Sequence, residues 1–372
     1  MPARVLIVPD KFKGSLTAGQ AAGAMARGWR KARPQDLLDL LPMSDGGDGF
    51  GEVLSILLGA RARKEATLDA LHRPWRGTWW WQTRDKIAIV ESANVVGLAM
   101  LPPKKFHPFQ LDTFGLGKLL AAAAKAGAKK CITGIGGSST NDGGFGLARS
   151  LGWRFLDRDG EELVEWWRFG ELAELRRPAT PLRLPLVVAV DVRNPLLGLR
   201  GCSRIYGPQK GLLTQDFAFA EKCLRRMAVC LKEQHGIDAA KIPGAGAAGG
   251  LGFGLIAFAG AKVESGFDLF AGYARLKERI ASADLVITGE GAVDAQTAMG
   301  KGVGQVARIC RRRNVACIAL AGHAEKSAGK SKLFTAVRAL TERASSQHAQ
   351  SKAAILLEQL AWEMARDWKA LL

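Results

Sequence analysis

Two textures of hydrophobic patterning alternate along the chain. Short apolar runs at Val5–Val8 (VLIV) and Leu186–Val190 (LVVAV) predict strands buried on both faces, and Leu37–Leu41 (LLDLL), Asp284–Thr288 (DLVIT) and Val315–Ala321 (VACIALA) predict further strands. Leu333–Leu340 is read as a last strand. Between these runs, apolar residues recur at helical spacing. Thr17-Ala-Gly-Gln20 has the spacing of a capping box before an Ala-rich helix. Further helices are expected near Glu52–Leu58, over Leu119–Ala126 ending at Gly127, over roughly 215–233, and over Leu251–Ala261. In the tail, Ile355, Leu357, Leu360, Ala361, Met364, Trp368 and Leu371 lie on one helical face, predicted to pack on a sheet.

Strand candidates near 5, 38, 285, 316 and 335 alternate with helices at the two ends of the chain, the pattern of a doubly wound parallel sheet. The middle has a different texture. Trp75–Gln82 carries four Trp, and Lys86–Ser92 is strand-like, so a hairpin and a mixed sheet are expected there. Residues 153–184 are polar and basic without a recognisable motif. The predicted organisation is one α/β domain, 1–60 with 263–372, interrupted by an inserted α/β domain at 61–262. A cleft between two such domains is a favoured place for small-molecule chemistry.

Composition narrows the class. With 48% hydrophobic and 24% charged residues the chain reads as an ordinary globular protein. It offers no run of about 20 uncharged apolar residues for a membrane span. No signal peptide is evident, since MPARVLIVPDKFKG enters a strand at once. The six Cys show neither a CxxC pair nor ligand-like spacing with the five His, which predicts free thiols in a cytoplasmic protein. The formal charge of +18 raises nucleic-acid binding, with RKAR at 30–33 and RRR at 311–313. The basic residues are spread over nearly the whole chain, however, and favour a solvated surface that attracts anionic substrates.

The candidate chemistry lies in glycine loops that follow the strands. In Cys131–Gly152 (CITGIGGSSTNDGGFGLARSLG) a strand end runs into Gly136, Gly137, Ser138, Asn141 and Asp142 before a helix. Glycines let backbone approach an anion, and a helix N-terminus presents unpaired N–H groups to it. The bland reading is a tight turn, because the same residues are ordinary turn formers. PDKFKGS places Lys11, Lys13 and Ser15 beside the capped helix, and PMSDGGDGFGE places Asp45 and Asp48 where a strand ends. Those aspartates could hold Mg²⁺ or cap the next helix. DVRNP carries Asp191 and Asn194, and GPQKG carries Tyr206, Gln209 and Lys210. GEGAVDAQTAMGKG carries Glu290, Asp294, Gln296 and Lys301 on a strand-to-helix loop, and lone His323 reads as structural. PGAGAAGGLGFG contains a literal G-x-G-x-x-G at Gly244, Gly246 and Gly249, but no strand precedes it. A dinucleotide fingerprint is therefore rejected, and close backbone packing is the alternative.

Glycine loops, lysines and carboxylates without a Cys-His or Ser-His pair suit phosphoryl transfer. There is no G-x-x-x-x-G-K-[ST] and no protein-kinase motif set. Taken together and in order, PDKFKGSLTA, PMSDGGDG, GIGGSSTNDGG, DVRNPL, GPQKG, GAGAAGGLG and ITGEGAVDAQTAMGK strongly resemble the type I glycerate kinase family from residue 4 to about 322. The resemblance implies a flavodoxin-like domain with a second α/β domain inserted. It also implies phosphorylation of D-glycerate with ATP and Mg²⁺, generally at the 2-hydroxyl.

On this reading Asp191, Asp45 and Lys11 are the catalytic candidates, with Asp191 assigned as the base. Lys13, Ser15, Asn194, Gln296 and Lys301 are expected to bind substrate. Gly136, Gly137, Ser138, Asn141, Asp142, Gly246 and Gly249 are expected to bind nucleotide phosphates, and Asp294 and Glu290 the metal. A monomer or homodimer is expected, with no nucleic-acid or membrane partner. Three departures stand out: Ala292 and Ala295 where the family usually has Arg and Ser, Ser139 in the glycine loop, and an unusual tail after Leu340. Loss of a basic group at 292 would weaken an anion contact. The alternatives are phosphorylation at the 3-hydroxyl or of a related hydroxy acid, a nucleic-acid-binding protein, and a non-catalytic sensor.

Overall fold

The computed structural model describes residues 2–103, 105–294, 297, 302–325 and 333–368. In chain order the strands are β1 (Arg4–Pro9), β2 (Leu37–Leu40), β3 (Arg61–Leu68), β4 (Pro74–Gln82), β5 (Ile87–Glu91), β6 (Lys130–Gly134), β7 (Arg154–Leu156), β8 (Glu174–Arg176), β9 (Leu186–Ala189), β10 (Lys262–Glu264), β11 (Leu285–Val293), β12 (Ala316–Ala324) and β13 (Ala336–Ala339). The chain divides into two compact units, Met1–Asp45 with Phe267–Leu372, and Gly46–Gly266.

The first unit is built on a five-stranded sheet in the order β13-β12-β11-β1-β2, with every pair parallel. Counted along this unit alone, the order is that of a flavodoxin-like doubly wound sheet, and its direction of winding reverses between β1 and β11. Val5, Ile7, Ile287, Ile318 and Leu320 are buried under Met25 and Trp29 of the helix Ala18–Ala32 and Leu357 and Leu360 of the helix Ala353–Asp367. The first of these helices starts at the expected capping box: Gln20 N donates to Thr17 Oγ1 at 3.2 Å, and Thr17 N to Gln20 Oε1 at 2.9 Å. The tail helix packs on that helix as well as on the sheet. Gly28 permits it, because a Cβ there would lie 2.0 Å from the carbonyl oxygen of Glu358.

The second unit carries a six-stranded sheet, β10-β9-β6-β5-β4-β3. β3, β4 and β5 form the antiparallel hairpins expected from the Trp-rich stretch, and β5, β6, β9 and β10 run parallel. β7 and β8 pair within the stretch that showed no motif. Over them lies an aromatic core of Phe145, Phe155, Phe169, Trp153 and Phe258.

The observed division at Asp45/Gly46 differs from the expected 60/61. The helix Phe50–Leu58 belongs to the second unit because it packs on β4 and β5, with Gly51 pressed against Trp80. The helix expected from Leu251 is Ala247–Ala259, bent where Ala248, Gly249 and Gly250 take φ of 57°, 73° and 84°. All six Cys are buried and free, and no helix among the described residues is long and apolar enough to cross a membrane.

Candidate active site

In the first unit, the chemistry gathers where the winding reverses. Asp10 follows β1, and its N–H donates to Gly289 O of β11 at 2.8 Å. Ligands of doubly wound sheets bind at this position, outside the carboxyl ends of the strands. Burial and the neighbouring carboxylates Asp45 and Glu290 push the Asp10 carboxyl up to about 7, against the pull of the Lys11 N–H, 2.7 Å from its Oδ1. Three acidic groups and Lys11 therefore converge here. Glu290 Oε1 accepts from the buried Thr297 hydroxyl at 2.8 Å, and Asp294 Oδ1 accepts from Thr297 N at 3.2 Å. Asp294 thus closes a local turn. Gln296 and Lys301 lie outside the described residues.

Lys13 and Ser15 stand further along the same sheet edge, lining a pocket of about 250 Å³ with Gly291, His323, Thr341 and Gln350. Lys13 is exposed, whereas the Ser15 hydroxyl donates to Phe12 O at 3.1 Å. Ala292 is exposed on β11 and pairs with His323 on β12.

In the second unit, the glycine loop after β6 is locked from several sides. Gly136 N donates to Gly46 O at 3.1 Å and Ser139 N to Val96 O at 2.8 Å, whereas the N–H groups of Gly137 and Ser138 have no acceptor among the described residues. Gly137 has φ +76°, so the turn presents two successive free donors, an anion-binding arrangement. Lys210 is buried, and its ammonium donates to Ser138 Oγ at 2.9 Å and Thr140 O at 2.5 Å. Burial pulls this lysine down to about 8, even though Cys202 and Asp142 act to raise it. Asn141 Nδ2 donates to Ser203 Oγ at 2.9 Å, while Asn141 Oδ1 and Thr140 Oγ1 are buried with no partner among the described residues.

Other predicted residues here are committed to structure. Asp142 Oδ2 accepts from Thr113 N, Thr113 Oγ1 and Gly146 N at 2.9, 2.7 and 3.0 Å, which makes it the brace of the following helix. Burial, with Asp112 close by, pushes its carboxyl up to about 6. Gly246 N donates to Asn194 O at 2.9 Å, and Gly249 O accepts from Gly143 N at 3.1 Å. A Cβ on Gly249 would meet Thr140 O at 2.0 Å. The G-x-G-x-x-G segment is thus a backbone-to-backbone packing surface against the first glycine loop. Asn194 braces its own loop, taking the Tyr206 hydroxyl at 2.7 Å and donating to Arg200 O at 2.8 Å. Asp191, exposed beyond β9, accepts from Ser265 Oγ at 2.8 Å.

The model of the glycerate kinase family matches residues 5–369. The chain belongs to the glycerate kinase family. It is 39% identical over 322 residues to a glycerate kinase of Halalkalibacterium halodurans, covering 86% of this chain and 85% of that one. It is 35% identical over 323 residues to the glycerate 2-kinase of Escherichia coli K12, with the same coverage. A crystal structure from Salmonella typhimurium LT2, carrying the glycerate kinase 2 name, superposes with a TM-score of 0.82 at 31% identity, over 100% of this chain and 99% of that one.

Three residues of this family member escaped the sequence reading. Asp10 was visible only as part of PDKFKGS, and its place directly after a buried strand was the available signal. Lys210 lies between glycines in GPQKG, but nothing local shows that its ammonium is buried. Glu91 takes the N–H groups of Gly49 and Gly51, both at 2.9 Å, at the start of the helix Phe50–Leu58. It fills the capping position for which Asp45 and Asp48 were the sequence candidates.

Proposed function

We propose that this chain transfers the γ-phosphoryl group of ATP to the 2-hydroxyl of D-glycerate. The observation that carries the reading is the convergence of Asp10, Asp45, Glu290 and Lys11 at the switch point of a glycerate kinase family member. The hydroxyl oxygen forms a bond to phosphorus as the bond to the ADP oxygen breaks, and the hydroxyl proton passes to a carboxylate. Asp191 is assigned as that carboxylate, positioned by the Ser265 hydroxyl. The free N–H groups of Gly137 and Ser138 take nucleotide phosphate oxygens, and Lys210 holds their loop in shape. Lys13 supplies the cation for the substrate carboxylate in a pocket suited to a three-carbon acid.

Mg²⁺ would be held by Asp10 and Asp45 together with phosphate oxygens, neutralising charge on the transferred group. Among the described residues no three acidic, His or Cys side chains form a metal cage. That fits an ion normally held by one or two carboxylates plus substrate phosphates. Asp294, engaged with Thr297, is assigned to turn geometry instead.

Phosphorus NMR of the product formed from D-glycerate and MgATP tests the reading. A phosphomonoester signal split into a doublet by the single C2 proton is expected. A triplet would move the transfer to the 3-hydroxyl. Binding of both substrates without any ADP release would make the chain a sensor and overturn the proposal.

A further inference from the structure

A groove of about 510 Å³ opens in the second unit between the edge strand β3 with its partner β4 and the helix Phe114–Lys125. Its lining includes Arg63, Lys64, Lys118 and Lys125 against a single carboxylate, Glu65, and its floor is Trp79 and small alanines. None of the four cations forms an ion pair among the described residues, and Lys64 only donates to Thr78 Oγ1 at 2.7 Å. Charges on an edge strand discourage strand addition, which accounts for Arg63 and Lys64. It does not account for Lys118 and Lys125, two turns apart on the facing helix. Arg63 is also held in place, its guanidinium lying 5.3 Å from the Trp79 ring centroid and 5.1 Å from that of Trp81.

Excess cations around one groove call for a ligand that carries several anionic oxygens. The groove is larger than one phosphate requires, and its alanine floor offers no hydrogen bonds to a sugar or base.

We infer that this groove binds an oligophosphate chain, its charges met by Arg63, Lys118 and Lys125. The chain is either free oligophosphate or the phosphate tail of a nucleotide. None of these residues belongs to the proposed catalytic machinery.

Isothermal titration of the full chain with tripolyphosphate at low salt tests the inference. Saturable binding is expected, weakening as salt screens the charges. Lys118→Ala/Lys125→Ala should weaken it at least tenfold, and Arg63→Ala severalfold. Turnover of glycerate and ATP by Lys118→Ala/Lys125→Ala should stay within about twofold of wild type, showing that the fold and the catalytic site are intact. If the source is a nucleotide, a non-hydrolysable ATP analogue binds with stoichiometry two in wild type and one in Lys118→Ala/Lys125→Ala. If it is free oligophosphate, that stoichiometry is one in both. Unchanged tripolyphosphate affinity in both variants overturns the inference. So does absence of saturable binding in wild type, or a single-stranded oligonucleotide binding through these residues where tripolyphosphate does not.

Discussion

The buried ammonium of Lys210 sits 2.9 Å from Ser138 Oγ, joining the end of the helix Cys202–Lys210 to the glycine loop 72 residues earlier in the chain. A cation removed from water is costly unless its donors are matched, so this contact is a structural commitment. It makes the shape of the loop depend on one side chain.

Lys210→Met should therefore raise the KM for ATP at least tenfold, with a smaller change in the KM for glycerate. Because burial lowers the folded-state value from 10.5 to about 8, the native state holds fewer protons than the unfolded chain between those limits. The lysine's contribution to stability thus rises with pH across that window, by up to about 3 kcal/mol at about 1.4 kcal/mol per pKa unit. Urea titrations from pH 7.5 to 10 should show the stability of wild type rising relative to that of Lys210→Met across the window. Parallel curves would remove Lys210 as its source.

At the switch point the sign is reversed. The Asp10 carboxyl is raised to about 7, so its contribution to stability is full below the unfolded value near 3.8 and is lost as pH rises through 7. Asp10→Asn should raise the melting temperature at pH 8 while lowering kcat by about a hundredfold or more. If Asp10 must be ionised to act, wild-type kcat falls as pH drops through about 7. Asp45→Asn removes a repulsive neighbour and should move that acid limb to lower pH in its residual activity. An unmoved limb would show that Asp45 does not act on Asp10.

Asp191→Asn keeps size and hydrogen bonding and removes the charge. For a base, kcat falls about a hundredfold or more with the KM for ATP nearly unchanged. Ser265→Ala, which removes only the hydroxyl donating to Asp191, should cost roughly tenfold or less, in kcat. Recovery of Asp191→Asn at high Mg²⁺ would reassign the residue as a metal ligand, and ordinary turnover would eliminate both roles.

Two glycines with similar backbone angles should respond differently to alanine. Gly249 (φ +73°) would place a Cβ 2.0 Å from the Thr140 carbonyl oxygen, and backbone in two locked loops has nowhere to go. Gly137 (φ +76°) would meet a side chain, the carboxylate of exposed Asp48, rather than backbone. Gly249→Ala is expected to cost at least about 3 kcal/mol, and Gly137→Ala about 1 kcal/mol, chiefly from the positive φ. Chemical denaturation of the two variants measures the difference, and equal losses would contradict the loop-to-loop packing.

Much of the fold was legible in local pattern. β1 and β9 lie within about a residue of the apolar runs that predicted them, because a strand buried on both faces must be apolar throughout. Thr17 and Gln20 form the box their spacing announced, since capping is decided by four consecutive residues. The glycine loops could be located in the same way, but their purpose could not be read from spacing. Turn formation, anion binding and close packing all select glycine, and only contact distances separate Gly137 from Gly249.

What the sequence determined by itself was therefore whatever depends on near neighbours: strand and helix positions, caps, glycine turns, and the ordered motifs that carry the family resemblance. What depends on distant partners waited for the tertiary structure. The helix Phe50–Leu58 is capped by Glu91 rather than by an adjacent aspartate, because a carboxylate brought by β5 reaches its N–H groups. Asp10 has its raised proton affinity because β11, far along the chain, brings Glu290 beside it and the end of β2 leads to Asp45. Lys210 is buried because helix packing closes over it. Burial and charge proximity are properties of three-dimensional neighbours, and periodicity along a chain encodes a residue's face without naming what that face will meet.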